Sequence, residues 1–71
     1  MKDIFIKTEF IKLDQFLKYA NILHSGGISK EFIKDGNVSV NGQVETRRGK
    51  KLYENDKVFV NGQEYIIKKE I

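Results

Sequence analysis

No cysteine occurs among the 71 residues, so neither a disulfide framework nor a thiolate zinc site is available, and hydrophobic packing has to hold the fold alone. Histidine occurs once, as His24 beside Ser25. Two sequence neighbours without an orienting carboxylate or an oxyanion site do not make a nucleophile-base device, so no enzyme is expected. His24 reads instead as a helix-end residue near the carbonyl end of the dipole. A single imidazole gives no metal site, and the acids are too dispersed for a calcium loop, so no metal or cofactor is expected. Apolar runs never exceed three residues and no small-residue cleavage site follows the N-terminus, so a soluble, cytoplasmic chain is expected.

What is present suits one small domain spanning residues 1–71, because a chain of this length builds one core and not two. Hydrophobic residues make up 39% of the chain and include five Phe and three Tyr, enough apolar material for a globular fold. Thirteen Lys and Arg against ten Asp and Glu leave a net charge of +3. The distribution says more than the sum. Arg47-Arg48-Gly49-Lys50-Lys51 carries four positive charges without an acid, whereas acids elsewhere are scattered singly.

Ile4, Phe5, Ile6 and Phe10 predict a first strand over 4–10. Leu13, Phe16, Leu17, Ala20 and Leu23 then recur as one stripe of an α-helix, with Asp14, Gln15 and Lys18 outside it. Ser25-Gly26-Gly27 breaks the period, and Ser25 is placed to cap a second helix from about Gly27 to Asp35, stopped by Gly36. In that helix Ile28, Phe32 and Ile33 form the predicted inward edge, and Lys30, Glu31 and Lys34 face out. Val-Asn-Gly-Gln at 40–43 and again at 60–63 predicts two tight hairpins with the same turn chemistry. Thr46 to Asp56 lies between them as one long polar loop. The predicted order is β-α-α-β-β-β-β, an α+β fold in which a helix-loop-helix packs on a small, strongly bent antiparallel sheet. Phe16, Phe32 and Phe59 read as core, and Tyr19 and Tyr53 as exposed rings able to stack on a base.

Arg forks match phosphate oxygens two at a time and Lys adds mobile charge, so the 47–51 run is suited to a polyanion, with Gly49 letting the backbone turn. The alternative is a solvated loop that serves solubility. Lys30 and Lys34, one helical turn apart, are placed to share the face of that loop. Ser25-Gly26-Gly27 either presents free N–H groups to a phosphate or simply joins two helices.

From Leu13 to Val60 the chain resembles the RNA-binding S-four domain, also called the alpha-L RNA-binding motif, and the motif core covers about residues 12–60. The resemblance is carried by Leu13-Asp14 with Leu17, by Ser25, by Phe32-Ile33 with Gly36, by Val38-Ser39-Val40-Asn41-Gly42, and by the closing Leu52 to Asp56 with Val58-Phe59-Val60. Four positions depart from the family pattern: Lys12 and Gly26 stand where Arg is common, Asn21 and Asn55 where Gly is usual. Gly26-Gly27-Ile28-Ser29-Lys30 and the segment from Glu45 to Leu52 are similar to the stand-alone bacterial YaaA and YbcJ type, in which the domain is the whole protein.

The resemblance implies a non-catalytic, ribosome-associated protein that binds structured RNA, ribosomal or transfer RNA, with Lys12, Ser25, Gly26, Lys30, Lys34, Arg47, Arg48, Lys50 and Lys51 as contacts. A monomer without membrane attachment is expected. The alternative is a protein-interaction adaptor that docks by a sheet edge or by a tail containing Ile66, Ile67 and Ile71.

Overall fold

The first strand is shorter than its composition suggests. In the computed structural model, which describes residues 1–70, β1 spans Lys2–Ile6 and the chain then turns through Lys7 to Glu9. Thr8 Oγ1 donates to the Phe10 carbonyl at 2.8 Å, a local bond that competes with strand pairing. Phe10 therefore leads into a separate two-residue strand, β2 (Ile11–Lys12), and not into the end of the first.

Helix α1 (Leu13–Tyr19) buries Leu13, Phe16 and Leu17 completely. The predicted stripe runs on to Leu23, but the helix ends at Tyr19. Asn21 adopts a left-handed φ of 63°, and the N–H groups of Ile22 and Leu23 both donate to the Leu17 carbonyl. Ala20, Ile22 and Leu23 still reach the core from this turn, which is why the spacing imitates further helix.

Helix α2 (Gly26–Lys34) starts at Ser25, whose Oγ accepts the Ile28 N–H at 3.4 Å, and stops before Gly36, with φ at 83°. Its inward edge differs from the predicted one. Ile28 is 59% exposed, whereas Ser29 and Ile33, four residues apart, are fully buried and Phe32 is half-buried. A rotation of one residue separates Ile28 from Ser29, enough to turn one out when the other faces in.

β3 (Val38–Val40), β4 (Gln43–Val44), β6 (Lys57–Val60) and β7 (Gln63–Lys69) pair antiparallel, as predicted, and both hairpins turn through Asn-Gly with positive φ at each residue. β1 departs from the antiparallel arrangement. It adds to β7 in parallel, Lys2 opposite Tyr65 through Ile6 opposite Lys69, giving a five-stranded mixed sheet ordered β1-β7-β6-β3-β4. The segment from Thr46 to Asp56 is not wholly loop either, because β5 (Lys51–Leu52) pairs with β2 and Leu52 is fully buried.

The helices close one face of the sheet. Ile6, Leu13, Phe16, Leu17, Ile33, Val38, Val40, Leu52, Val58, Val60 and Ile67 form the core, and Phe16 meets Tyr65 edge to face at 5.6 Å. Phe59, read above as core, is 49% exposed, since strand alternation turns it out when Val58 and Val60 turn in. No helix among the described residues is long and apolar enough to cross a membrane.

Candidate functional site

The basic run is a structured turn anchored to a helix start. Lys50 N–H donates to the Arg47 carbonyl at 3.2 Å. The first N–H groups of a helix lack intrahelical partners, and here the loop supplies them: Leu13 N–H donates to the Lys50 carbonyl at 2.8 Å and Asp14 N–H to the Arg48 carbonyl at 3.1 Å. Lys12 N–H is taken up by Gln15 Oε1 at 3.2 Å. The loop backbone is thus committed inward, and Arg47, Arg48 and Lys51 are left exposed. Gly49 contributes differently from the sequence expectation. Its φ is not left-handed, so the turn does not depend on glycine there, and a Cβ at Gly49 would meet nothing within 4 Å.

Arg47 is held in a fixed plane. Its Nε and Nη2 donate to the two Glu45 carboxylate oxygens at 3.0 and 3.2 Å, and its backbone N–H donates to Glu45 Oε2 at 3.0 Å. These bonds from Arg47 hold the Glu45 carboxyl below the usual carboxylate range, against the opposing effect of burial, and the same pair raises the Arg47 pKa. The Glu45 side chain is only 13% exposed and that of Arg47 74%, so the acid anchors and the guanidinium remains accessible.

β2 and β5 complete the surface. Their register puts Lys12 directly across from Lys51, whose ammonium lies 4.8 Å from the centre of the Phe10 ring. Phe10 in turn packs against Tyr53, with ring centres 5.8 Å apart. Asp56 fixes this end of the loop: one carboxylate oxygen accepts the Tyr53 N–H at 2.8 Å and the other accepts Asn41 Nδ2 at 3.1 Å. Between these elements lies an open cleft of about 480 Å³, lined by Arg47, Gly49, Lys50, Lys51 and Tyr53.

The structure therefore brings together five of the nine residues singled out from the sequence: Lys12, Arg47, Arg48, Lys50 and Lys51. Ser25, Gly26, Lys30 and Lys34 form a second group on α2. Lys30 and Lys34 are both exposed, and the backbone hydrogen bonds that fix the basic loop run to α1. Lys18 joins the α2 group: a Cβ at Gly26 would lie 4.0 Å from its ammonium. The sequence places Lys18 outside the buried stripe and assigns Glu45, Phe10 and Asp56 no site role. The Glu-x-Arg spacing at 45–47 was the one visible cue among these.

Residues 4–68 match the sequence profile of the S4 domain. The chain belongs to the S4 domain family. It is 48% identical over 59 residues to a protein of Bacillus subtilis (strain 168) named Probable ribosome maturation protein RlbA, with 83% of each chain covered. Within this S4 domain the two Gly-to-Asn departures have a backbone explanation. Asn21 and Asn55 have φ of 63° and 75°, a region that Asn enters more readily than other side chains. The Arg-to-Gly departure at Gly26 is of another kind, since the positive charge near that helix start comes from Lys18.

Proposed function

We propose that this S4 domain is a non-catalytic RNA-binding protein, acting as a monomer in the cytoplasm on structured ribosomal RNA in ribosome maturation, with transfer RNA as the other RNA class that the fold would suit. The observation that carries this reading is the anchoring of the loop to α1. Folding alone orders the backbone that displays Lys12, Arg47, Arg48, Lys50 and Lys51, so little ordering cost remains at binding. The name of the Bacillus relative supports the ribosomal context. Lys30, Lys34, Lys18, Ser25 and Gly26 would add a second set of contacts from the helical side.

Affinity for a ribosomal RNA fragment, measured across salt concentrations, tests the proposal. Neutralising about four to six phosphates gives a slope of log affinity against log salt of roughly −3 to −5. Replacing Arg47 and Arg48 together with Ala should weaken binding and flatten that slope without unfolding the domain, the midpoint falling only by the contribution of the Glu45 pair. A slope near zero for the unaltered protein would remove the electrostatic basis of the proposal.

A second reading, a protein adaptor, is favoured by the outer face of the sheet, where Phe5, Phe59 and Val44 are exposed at 49%, 49% and 63%. The tail version of that reading loses ground: β7 lies between β1 and β6 with Ile67 fully buried, and Ile71 lies outside the described residues. Purified protein carrying a protein partner and no salt-removable nucleic acid would favour the adaptor.

A further inference from the structure

We infer that the cleft beside the basic loop receives one unpaired base of the RNA, stacked on Tyr53, while Lys50 and Lys51 hold the flanking phosphates. The inference rests on the RNA-binding reading and adds to it the element of RNA that is recognised. Phosphate attraction alone needs only mobile charge, and Arg48 supplies that without lining the cleft. The cleft is built otherwise.

Its wall includes Tyr53, a residue that is 43% exposed although its ring packs against Phe10. The backbone of Tyr53 is fixed by the Asp56 carboxylate, and Phe10 behind it carries the Lys51 ammonium, so the ring is supported from several sides and still open to solvent. Arg47 also lines the cleft, and the Glu45 fork fixes the orientation of its guanidinium plane. Aromatic rings and guanidinium planes are the two protein surfaces on which unstacked bases settle. At Gly49 no side chain intrudes, and the volume of about 480 Å³ falls within the roughly 300–1,000 Å³ of small-ligand clefts. Bases inside a continuous duplex offer no free face, so a bulged, looped or terminal base is the occupant that fits.

The test compares two RNAs, a stem carrying a single-residue bulge and the same stem fully paired, by fluorescence anisotropy at several salt concentrations. The unaltered protein should prefer the bulged RNA. Tyr53→Ala should weaken binding to it by about 5- to 150-fold, leave the paired stem unaffected and keep the salt slope, whereas Tyr53→Phe should bind both as the unaltered protein does. Equal binding of both RNAs by the unaltered protein, with a normal salt slope, would overturn the inference and leave the RNA-binding reading standing; no binding to either would remove both.

An equal loss on both RNAs would mark Tyr53 as structural and also overturn it. A 2-aminopurine at the bulge reads stacking without any substitution, so the test survives a variant that does not fold: its fluorescence should be quenched on binding, and an unchanged signal counts against the inference. A free mononucleotide carries the same base and phosphate. It should fail to displace the bulged RNA, and displacement would reassign the cleft to a small nucleotide.

Discussion

Glu45 shows how one acid can serve a basic surface. A carboxylate two residues from Arg47 looks, from charge alone, like a partial neutralisation of the loop, yet its position makes it a mount that sets the guanidinium plane. Its pKa is lowered by the bonds from Arg47. A group with a depressed folded pKa stabilises fully above its unfolded value, about 4.3 for Glu, and loses that contribution as pH falls through the folded value. The difference in urea midpoint between the unaltered chain and Glu45→Gln should therefore be constant above about pH 5 and shrink toward zero as pH falls below about 4. A difference that grew on acidification would contradict the pairing. Individual residues were legible where periodicity leaves one choice, as at Leu13, Phe16 and Leu17. They were misread where the neighbouring residue was also apolar: Phe59 sits between Val58 and Val60, and only the strand phase decides which faces out.

At the scale of elements, the two Val-Asn-Gly-Gln hairpins share a turn and differ in their surroundings. Both Asn residues adopt φ of 52°, but Asn41 also donates to Asp56 and accepts the Lys57 N–H at 2.9 Å, whereas its counterpart Asn61 has no side-chain bond among the described residues. Glycine keeps the left-handed backbone and removes only the side chain. Asn61→Gly should then change stability by less than about 0.5 kcal/mol, and Asn41→Gly should cost about 1–2 kcal/mol in urea unfolding. Equal effects would mean that the Asn41–Asp56 latch contributes nothing. The hairpins themselves were readable because Asn-Gly fixes their turn type, and α2 because Ser25 and Gly36 mark its ends. β2 and β5 were not, since two residues are too few to show alternation and their pairing is set by contacts some forty residues apart in sequence. For the same reason the link between the basic loop and α1 was invisible: it is made by backbone atoms, which carry no residue identity.

For the molecule as a whole, the parallel pairing of β1 with β7 joins the beginning of the described chain to its end. Glu70 N–H reaches the Ile6 carbonyl at 2.8 Å, Ile6 and Ile67 enter the core, and the Tyr19 hydroxyl donates to the Phe5 carbonyl at 2.7 Å. The motif core from Lys12 to Val60 is thus braced by strands on both sides of it. A chain lacking residues 1–6 would expose one edge of β7 and lose a buried Ile, a change of about 2–5 kcal/mol from the core residue alone. It should unfold at markedly lower urea or aggregate, as followed by circular dichroism and light scattering. Sequence established the α+β class and the helix-loop-helix before the sheet, because strand alternation tells which face is inward and says nothing of partner or direction.

The bonds from Leu13 and Asp14 to the Lys50 and Arg48 carbonyls tie two amide protons to the state of the basic loop. Such protons exchange with solvent when their bonds open, so they serve as built-in gauges of loop opening. Leu13 is fully buried and its side chain is sealed from any ligand. RNA seated on the loop should nevertheless slow deuterium uptake at both amides, and Arg48→Ala, which keeps the carbonyl, should leave their exchange in the free protein unchanged. The slow exchange of two amides at the start of a helix would then report occupancy of a surface that neither amide touches.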